Sequence, residues 1–321
     1  MNVLSSVAAP PTIPVETIEL PEFKQAGVQL DLLRLDLVHP LISGNKWFKL
    51  KYALQAVKSS ACQRVLSFGG AWSNHIHALA YAGFEQGIET VGVIRGERPA
   101  VLSQTLIDAE RWGMQLVFVS RLEYRDKDNA VFLSRLAEKY GEFHCLPEGG
   151  SGEWVIAGCL EIISLFDAAN YDLICCPCGT GGTLAGLIAG KPVGVSLLGV
   201  SALKGGEFLY HDIRGLLARA GIVDPEGWSL QLDCHEGGYA KVSARLAVAM
   251  QRFSQCSGVE LEPVYTGKAL LALLQKLEQG GFAPGDRVML IHTGGMQGLR
   301  GMKETLLRKL SSSLRPKAEP S

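Results

Sequence analysis

The residues best equipped for chemistry sit in a few short, glycine-rich segments of this 321-residue chain. The most informative is Cys-Gly-Thr-Gly-Gly-Thr-Leu-Ala-Gly at 178–186, which lies between an apolar run at 173–176 and a helical pattern. A strand, a glycine loop and a helix N-terminus make an anion cradle, with backbone N–H groups and the positive helix end converging on a phosphate. Gly179, Gly181 and Gly182 let the backbone approach closely, and Thr180 and Thr183 can add hydroxyl donors. No Gly-Lys-Ser/Thr follows and the spacing is not Gly-x-Gly-x-x-Gly, which disfavours ATP and NAD. A tight turn with glycines for packing is the plainer alternative.

A second segment, Ser-Gly-Asn-Lys at 43–46, is followed by Lys49 and Lys51. A lysine forms a Schiff base only when burial or a neighbouring charge depresses its ammonium pKa, and Lys46 is flanked by Gly44, Trp47 and Phe48. On its own it reads as a solvated lysine at a helix start. In Gly-Gly-Ala-Trp-Ser-Asn-His at 69–75 a strand meets a helix, and Ser73 or Asn74 would cap it. The free N–H groups of that first turn could grip a carboxylate. His75 and His77 form a His-x-His pair, but on a helix their rings diverge and no Glu or Cys stands at ligand spacing, so no metal is expected. Cys175 and Cys178 have C-x-x-C spacing without a second pair, and the first ends an apolar strand, which points to buried thiols rather than zinc or redox chemistry. Further along come Glu-Gly-Gly-Tyr at 236–239, Pro-Val-Tyr-Thr-Gly-Lys at 263–268 and His-Thr-Gly-Gly at 292–295. Tyr239 and Tyr265 supply aromatic faces and titratable hydroxyls. The last segment closes a strand at the carboxyl edge, where ligands bind in open α/β folds.

The elements that must position these segments alternate regularly. Strands are predicted at 65–68, 90–94, 115–119, 173–176, 196–200 and 287–291, and helices near 74–87, 100–112, 127–140, 153–167, 182–189, 207–220, 241–254 and 267–279. Continuous apolar runs such as Val-Met-Leu-Ile at 288–291 fit strands covered on both faces by helices. The fold class is α/β with mostly parallel sheets.

Composition narrows the function further. Lys plus Arg is 31 against 32 for Asp plus Glu, so the net charge of -1 offers no field to hold a nucleic acid. Hydrophobic residues make up 47% without any run long enough to span a bilayer, which excludes disorder and a membrane span. Residues 1–16 hold no Lys or Arg and three prolines, so no export leader is expected, and eight cysteines in so large a chain read as reduced thiols. A cytoplasmic protein is the expectation, with 311–321 a frayed tail.

Taken in order, Gly-Asn-Lys, Ser-Asn-His, Gly-Thr-Gly-Gly-Thr, Pro-Val-Tyr-Thr-Gly-Lys and His-Thr-Gly-Gly resemble the 1-aminocyclopropane-1-carboxylate (ACC) deaminases and D-cysteine desulfhydrases, from about residue 32 to 295. These are pyridoxal phosphate enzymes of the tryptophan synthase β fold, known as fold type II. The resemblance implies a large cofactor domain from 1–48 and 161–321, with a smaller α/β domain, 49–160, inserted between, each built on an open, mostly parallel sheet. It also implies a homodimer acting on a small amino acid.

By the same resemblance Lys46 is the Schiff-base lysine, and Asn74 meets the cofactor's ring hydroxyl. The phosphate lies on Cys178, Gly179, Thr180, Gly181, Gly182 and Thr183. Ser73 meets the substrate carboxylate, with Trp72, His75, Thr293 and Gly294 nearby, and Tyr239 and Tyr265 are the active-site tyrosines. Thr266 and Thr293 stand where ACC deaminases resemble Tyr-Glu-Gly-Lys and His-Leu-Gly-Gly. A threonine beside the pyridine nitrogen is a weaker partner than a carboxylate, which suits loss of a good β-leaving group better than opening of a cyclopropane. The expectation is therefore conversion of D-cysteine or a β-substituted D-amino acid to pyruvate, ammonia and sulfide. ACC deamination to 2-oxobutyrate and ammonia is one alternative, and a non-catalytic binder of pyridoxal phosphate or amino acids is another. Phe48 and Trp72 replace the usual Arg and polar residue of relatives, two rings expected to reshape the pocket.

Overall fold

The computed structural model describes residues 12–313. Its strands are β1 (Val15–Thr17), β2 (Gln29–Leu33), β3 (Arg64–Gly69), β4 (Glu89–Arg95), β5 (Gln115–Val119), β6 (His144–Leu146), β7 (Leu173–Cys178), β8 (Ser196–Ser201), β9 (Trp228–Gln231) and β10 (Arg287–Ile291). The α-helices are α1 (Pro21–Gln25), α2 (Asn45–Lys58), α3 (Asn74–Gln86), α4 (Gln104–Arg111), α5 (Ala130–Tyr140), α6 (Val155–Leu160), α7 (Gly182–Gly190), α8 (Phe208–Arg219), α9 (Ala244–Ser257), α10 (Thr266–Glu278) and α11 (Lys303–Ser313).

Two sheets result. One has the order β1-β2-β10-β7-β8-β9 and the other β5-β4-β3-β6. Apart from the antiparallel edge pair β1–β2, all pairings are parallel. The six-stranded sheet draws on both ends of the chain, since Gln29–Leu33 pairs in register with Arg287–Ile291. Parallel strands need covering on both faces, and the buried side chains form three clusters accordingly: one shared by the two sheets, one on the other face of the large sheet and one on the outer face of the small one. The chain has the expected α/β architecture of parallel sheets covered by helices.

Local chemistry sets the helix limits. Ser73, Ser103, Asn129 and Ser243 each accept a first-turn N–H, which starts α3, α4, α5 and α9. Gly87 and Gly258 end α3 and α9 in the left-handed conformation. The expected helix at 153–167 is shorter, with α6 passing into a 3-10 turn at Glu161–Leu165. Four short strands, β1, β2, β6 and β9, and the helices α1, α2 and α11 lie outside the sequence expectation. Ser311–Ser313 belong to α11 rather than to a frayed tail, while 314–321 and 1–11 lie outside the described residues. Among the described residues no helix is long and apolar enough to cross a membrane.

The loops after β3, β7 and β10 carry three of the glycine-rich segments. All three leave the carboxyl ends of parallel strands, the edge at which open sheets hold ligands.

Candidate active site

Lys46 is the second residue of α2, and the backbone before it fixes its place. Gly44, the N-cap, has φ 68° and ψ −145°, a conformation essentially reserved for glycine. A Cβ there would stand 1.8 Å from the Thr293 carbonyl oxygen, so the loop after β10 presses directly on the start of α2. The Asn45 N–H donates to the same oxygen at 3.3 Å. Gly294 packs back on Ser43 and Gly44. The Asn45 side chain reaches the other way, donating to Thr183 Oγ1 at 2.7 Å. Lys46 is thereby held between the loop after β7 and the loop after β10.

Burial pushes the Lys46 amine down to about 7, and the charge of Lys49 pushes the same way. Lys49, nearly one turn later, is 3% exposed. Its Nζ donates to Gly149 O at 3.0 Å, Ser151 Oγ at 3.1 Å and Thr180 Oγ1 at 3.3 Å. Burial lowers its pKa as well. A Cβ on Gly182 would stand 2.8 Å from Ser151 Oγ and Val155 Cγ2 and 3.0 Å from that Nζ, so the ammonium packs close against this glycine. α7 starts there without a side-chain cap, after Gly181 at φ 74°. First-turn N–H groups and a buried ammonium together make a positive cradle. Sequence reasoning passed over Lys49 as a site residue, although its i, i+3 spacing from Lys46 was a usable signal.

The opposite wall is aromatic. The Tyr265 ring lies against Gly179, where a Cβ would come within 3.1 Å of it, and Tyr239 meets Tyr265 edge-on at 6.1 Å between centroids. Burial raises both phenol pKa values, and their mutual interaction raises Tyr265 further while restraining Tyr239. Tyr239 stands in a strained loop, with Glu236 at φ 55° and Ala240 at φ 54°. The buried Lys268 ammonium holds that loop by donating to Gly238 O at 2.8 Å and to Ala202 O at 3.1 Å. Asn74, at the start of α3, closes the site from the small sheet: its Nδ2 would stand 2.6 Å from a Cβ on Gly295. Ser73 caps α3 by accepting the Ile76 N–H at 3.2 Å, which leaves its own hydroxyl proton free to be donated.

Lys46, Ser73, Asn74, Gly179, Thr180, Gly181, Gly182, Thr183, Thr293 and Gly294 therefore come from three sheet-edge loops and the helix starts that meet them, while Tyr239 comes from the loop between β9 and α9 and Tyr265 from the start of α10. Four other residues expected at the site are engaged elsewhere. Thr266 is fully buried, and its hydroxyl both accepts the Glu262 N–H at 2.9 Å and donates to Glu262 O at 3.1 Å. Glu262, absent from the sequence expectation, is a buried carboxyl that accepts N–H groups from Val264, Tyr265 and Thr266, and burial raises it to about 7. The Cys178 thiol is buried at the end of β7. His75 is buried and meets Ser67 Oγ at 2.8 Å. Because Ser67 donates to Leu146 O at 2.7 Å, the proton on His75 is at Nε2 and Nδ1 is a bare acceptor beside Gly150. Burial and the charges of Lys46 and Lys49 hold this imidazole neutral. Trp72 lies half-exposed against Gly301. Phe48 is not a pocket residue: it is fully buried against Trp47, rings 4.9 Å apart, because two residues along a helix turn it away from Lys46.

Comparison with known proteins accords with this arrangement. A family model described as pyridoxal-phosphate dependent enzyme matches residues 9–294. A protein of Thermotoga maritima is 30% identical over 88% of this chain and 93% of its own length. An Arabidopsis thaliana protein named a bifunctional D-cysteine desulfhydrase/1-aminocyclopropane-1-carboxylate deaminase is 27% identical over 92% of this chain and 78% of its own. A crystal structure of an ACC deaminase homologue superposes with a TM-score of 0.83 at 25% identity, covering 95% of this chain and 96% of the other.

Proposed function

The chain belongs to the pyridoxal-phosphate dependent enzymes, and we propose that within this family it removes the β-substituent and amino group of a small amino acid, D-cysteine first. Its cofactor is pyridoxal phosphate. The residues fit that group. The Lys49 ammonium packs against the glycine loop at Thr180 and Gly182, and the Tyr265 ring lies along Gly179. Lys46, with its amine depressed to about 7, would hold the aldehyde carbon. This amine, set between a cradle for phosphate and the loop after β10, is the observation that carries the reading.

When bound, the cofactor supplies an electron sink for the pair released at the substrate's α carbon. The protein's own groups do the rest. The Ser73 hydroxyl and the first turn of α3 bind the substrate carboxylate. The Lys46 amine takes the α-proton, since both phenols are held above their ordinary range and serve as donors rather than bases. Overall, D-cysteine and water give pyruvate, ammonia and hydrogen sulfide. This reading takes the chain as a homodimer, the state its resemblance implies, and as cytoplasmic on its composition.

Thr293, together with the relative named for both activities, supports D-cysteine. One observation favours ACC as a second substrate: the Glu262 carboxyl lies 3.3 Å from the Thr266 hydroxyl, restoring an acid near that position. The test is release of sulfide and pyruvate from D-cysteine by cofactor-loaded protein, with Lys46→Ala as the inactive control. Release of 2-oxobutyrate from ACC without sulfide would select the second substrate. Spectral shifts on adding amino acids, with no keto acid formed, would overturn both.

A further inference from the structure

Directly after His-Thr-Gly-Gly, the 3-10 turn Met296–Gly301 wedges against α3 and α4, and the orientation of one amide in it can be decided from its neighbours. Arg300 Nη2, which can only donate, faces Gln297 Oε1 at 3.4 Å, and Thr105 Oγ1 donates to the same oxygen at 2.5 Å. The Trp72 carbonyl, which can only accept, faces Gln297 Nε2 at 3.5 Å. The oxygen of Gln297 therefore points to α4 and its nitrogen to α3. That nitrogen also donates to the Asn74 side chain. Asn74 must then present Oδ1 to Gln297 and turn Nδ2 toward Gly295, the side of the loop after β10.

An asparagine amide left to itself can sit either way round, with a donor or an acceptor facing the site. We propose that Gln297 is a positioning residue that locks the Asn74 amide with its donor toward the ring oxygen of the cofactor, and that Thr105 in turn locks Gln297. The inference rests on the reading of Asn74 as a cofactor ligand. Thr105 is fully buried on α4, beside the small sheet, while Gln297 follows the last strand of the large one. The donor is thus correctly set only when the two sheets are docked.

Gln297→Glu tests this at nearly constant shape. A carboxylate still accepts from Thr105 and Arg300 but cannot donate to Asn74, so Asn74 must reverse and aim its oxygen at the cofactor. The readout is the pH midpoint of the visible absorbance change of the bound cofactor. Losing a donor to a charged oxygen should raise that midpoint by about one unit. Asn74→Ala should raise it as far, and the double variant no further than Asn74→Ala alone. Gln297→Met, which frees the Asn74 amide without reversing it, should give a smaller rise and guards against a folding artefact in Gln297→Glu. If Asn74→Ala leaves the midpoint unmoved, the reading of Asn74 as a ligand is wrong. If Asn74→Ala moves it and both Gln297 variants keep the wild-type value, the positioning role is overturned.

Discussion

Two lysines a helical turn apart divide the work at this site because burial treats them differently. Lys49 keeps three acceptors around its ammonium, whereas at Lys46 burial and the charge of Lys49 favour the neutral amine and outweigh the opposite pull of Cys159 and Cys176. A neutral amine is what attacks an aldehyde, so uptake of pyridoxal phosphate by the apoprotein should accelerate with pH around a midpoint near 7, followed by the cofactor's absorbance. A midpoint near the ordinary lysine value would show that Lys46 is solvated. The sign for stability is the same. Between the folded value near 7 and the unfolded 10.5 the unfolded chain binds more protons, so apoprotein stability relative to Lys46→Met should rise with pH across that window and be lost as pH falls through 7. Lys49→Met should weaken cofactor binding by roughly tenfold or more, the cost of one hydrogen bond to a charged group. It should also move the Lys46 midpoint upward, since the charge opposing it is gone. Unchanged affinity and an unchanged midpoint in a dialysis and uptake series would place the phosphate elsewhere.

At the scale of elements the site depends on helix starts meeting strand ends, and Gly44 is the tightest of these joints. Its dihedral angles are strained for any other residue, and a Cβ would overlap the Thr293 carbonyl. Gly44→Ala should therefore cost about 3 kcal/mol or more and, by parting α2 from the loop after β10, abolish cofactor uptake; near-normal melting with full uptake would mean that the loops can separate freely. The strand–loop–helix joints were legible in the sequence because glycines and caps punctuate them, and the apolar runs of β7 and β10 announce themselves. α2 was not, since two of its buried positions are Lys49 and Lys51, which mask the apolar face a helix normally shows. β2 was hidden for a like reason. It buries Asp31, whose carboxylate is satisfied by Thr17, Gln29 and Tyr171 from three separate segments, a compensation visible only once the chain is folded. Glu262 went unnoticed because nothing in its neighbours foretells a buried carboxyl wrapped by its own backbone. Phe48 was misread because adjacency in sequence to Lys46 ignores the rotation of the helix.

For the whole molecule, one sheet brings the cradle and the loop after β10, the other brings Ser73 and Asn74, and neither alone forms the site. Beside the apolar cluster that the two sheets share, a polar contact joins them. Asp108 on α4 accepts from Arg300 of the 3-10 turn at 2.7 Å and faces His77 at 3.6 Å, beside the Thr105–Gln297–Asn74 chain. Burial opposes the Asp108 charge, but the Arg300 guanidinium outweighs it and holds the carboxyl below its ordinary range. Burial keeps His77 below its usual value too, so Arg300 is the cation that counts. Because Arg300 is 40% exposed, the pair is worth only about 1 kcal/mol, and much of that is open to screening by salt. Asp108→Asn removes the charge while keeping the shape, and it should let the two units part more often. Amide hydrogen exchange at low salt should then speed up about fivefold in α4 and in residues 296–301 together, the factor that 1 kcal/mol allows. Both segments must respond for the pair to act between the sheets. Faster exchange confined to α4 would make Asp108 a local helix contact, and docking would then rest on the shared apolar cluster and Gln297 without it.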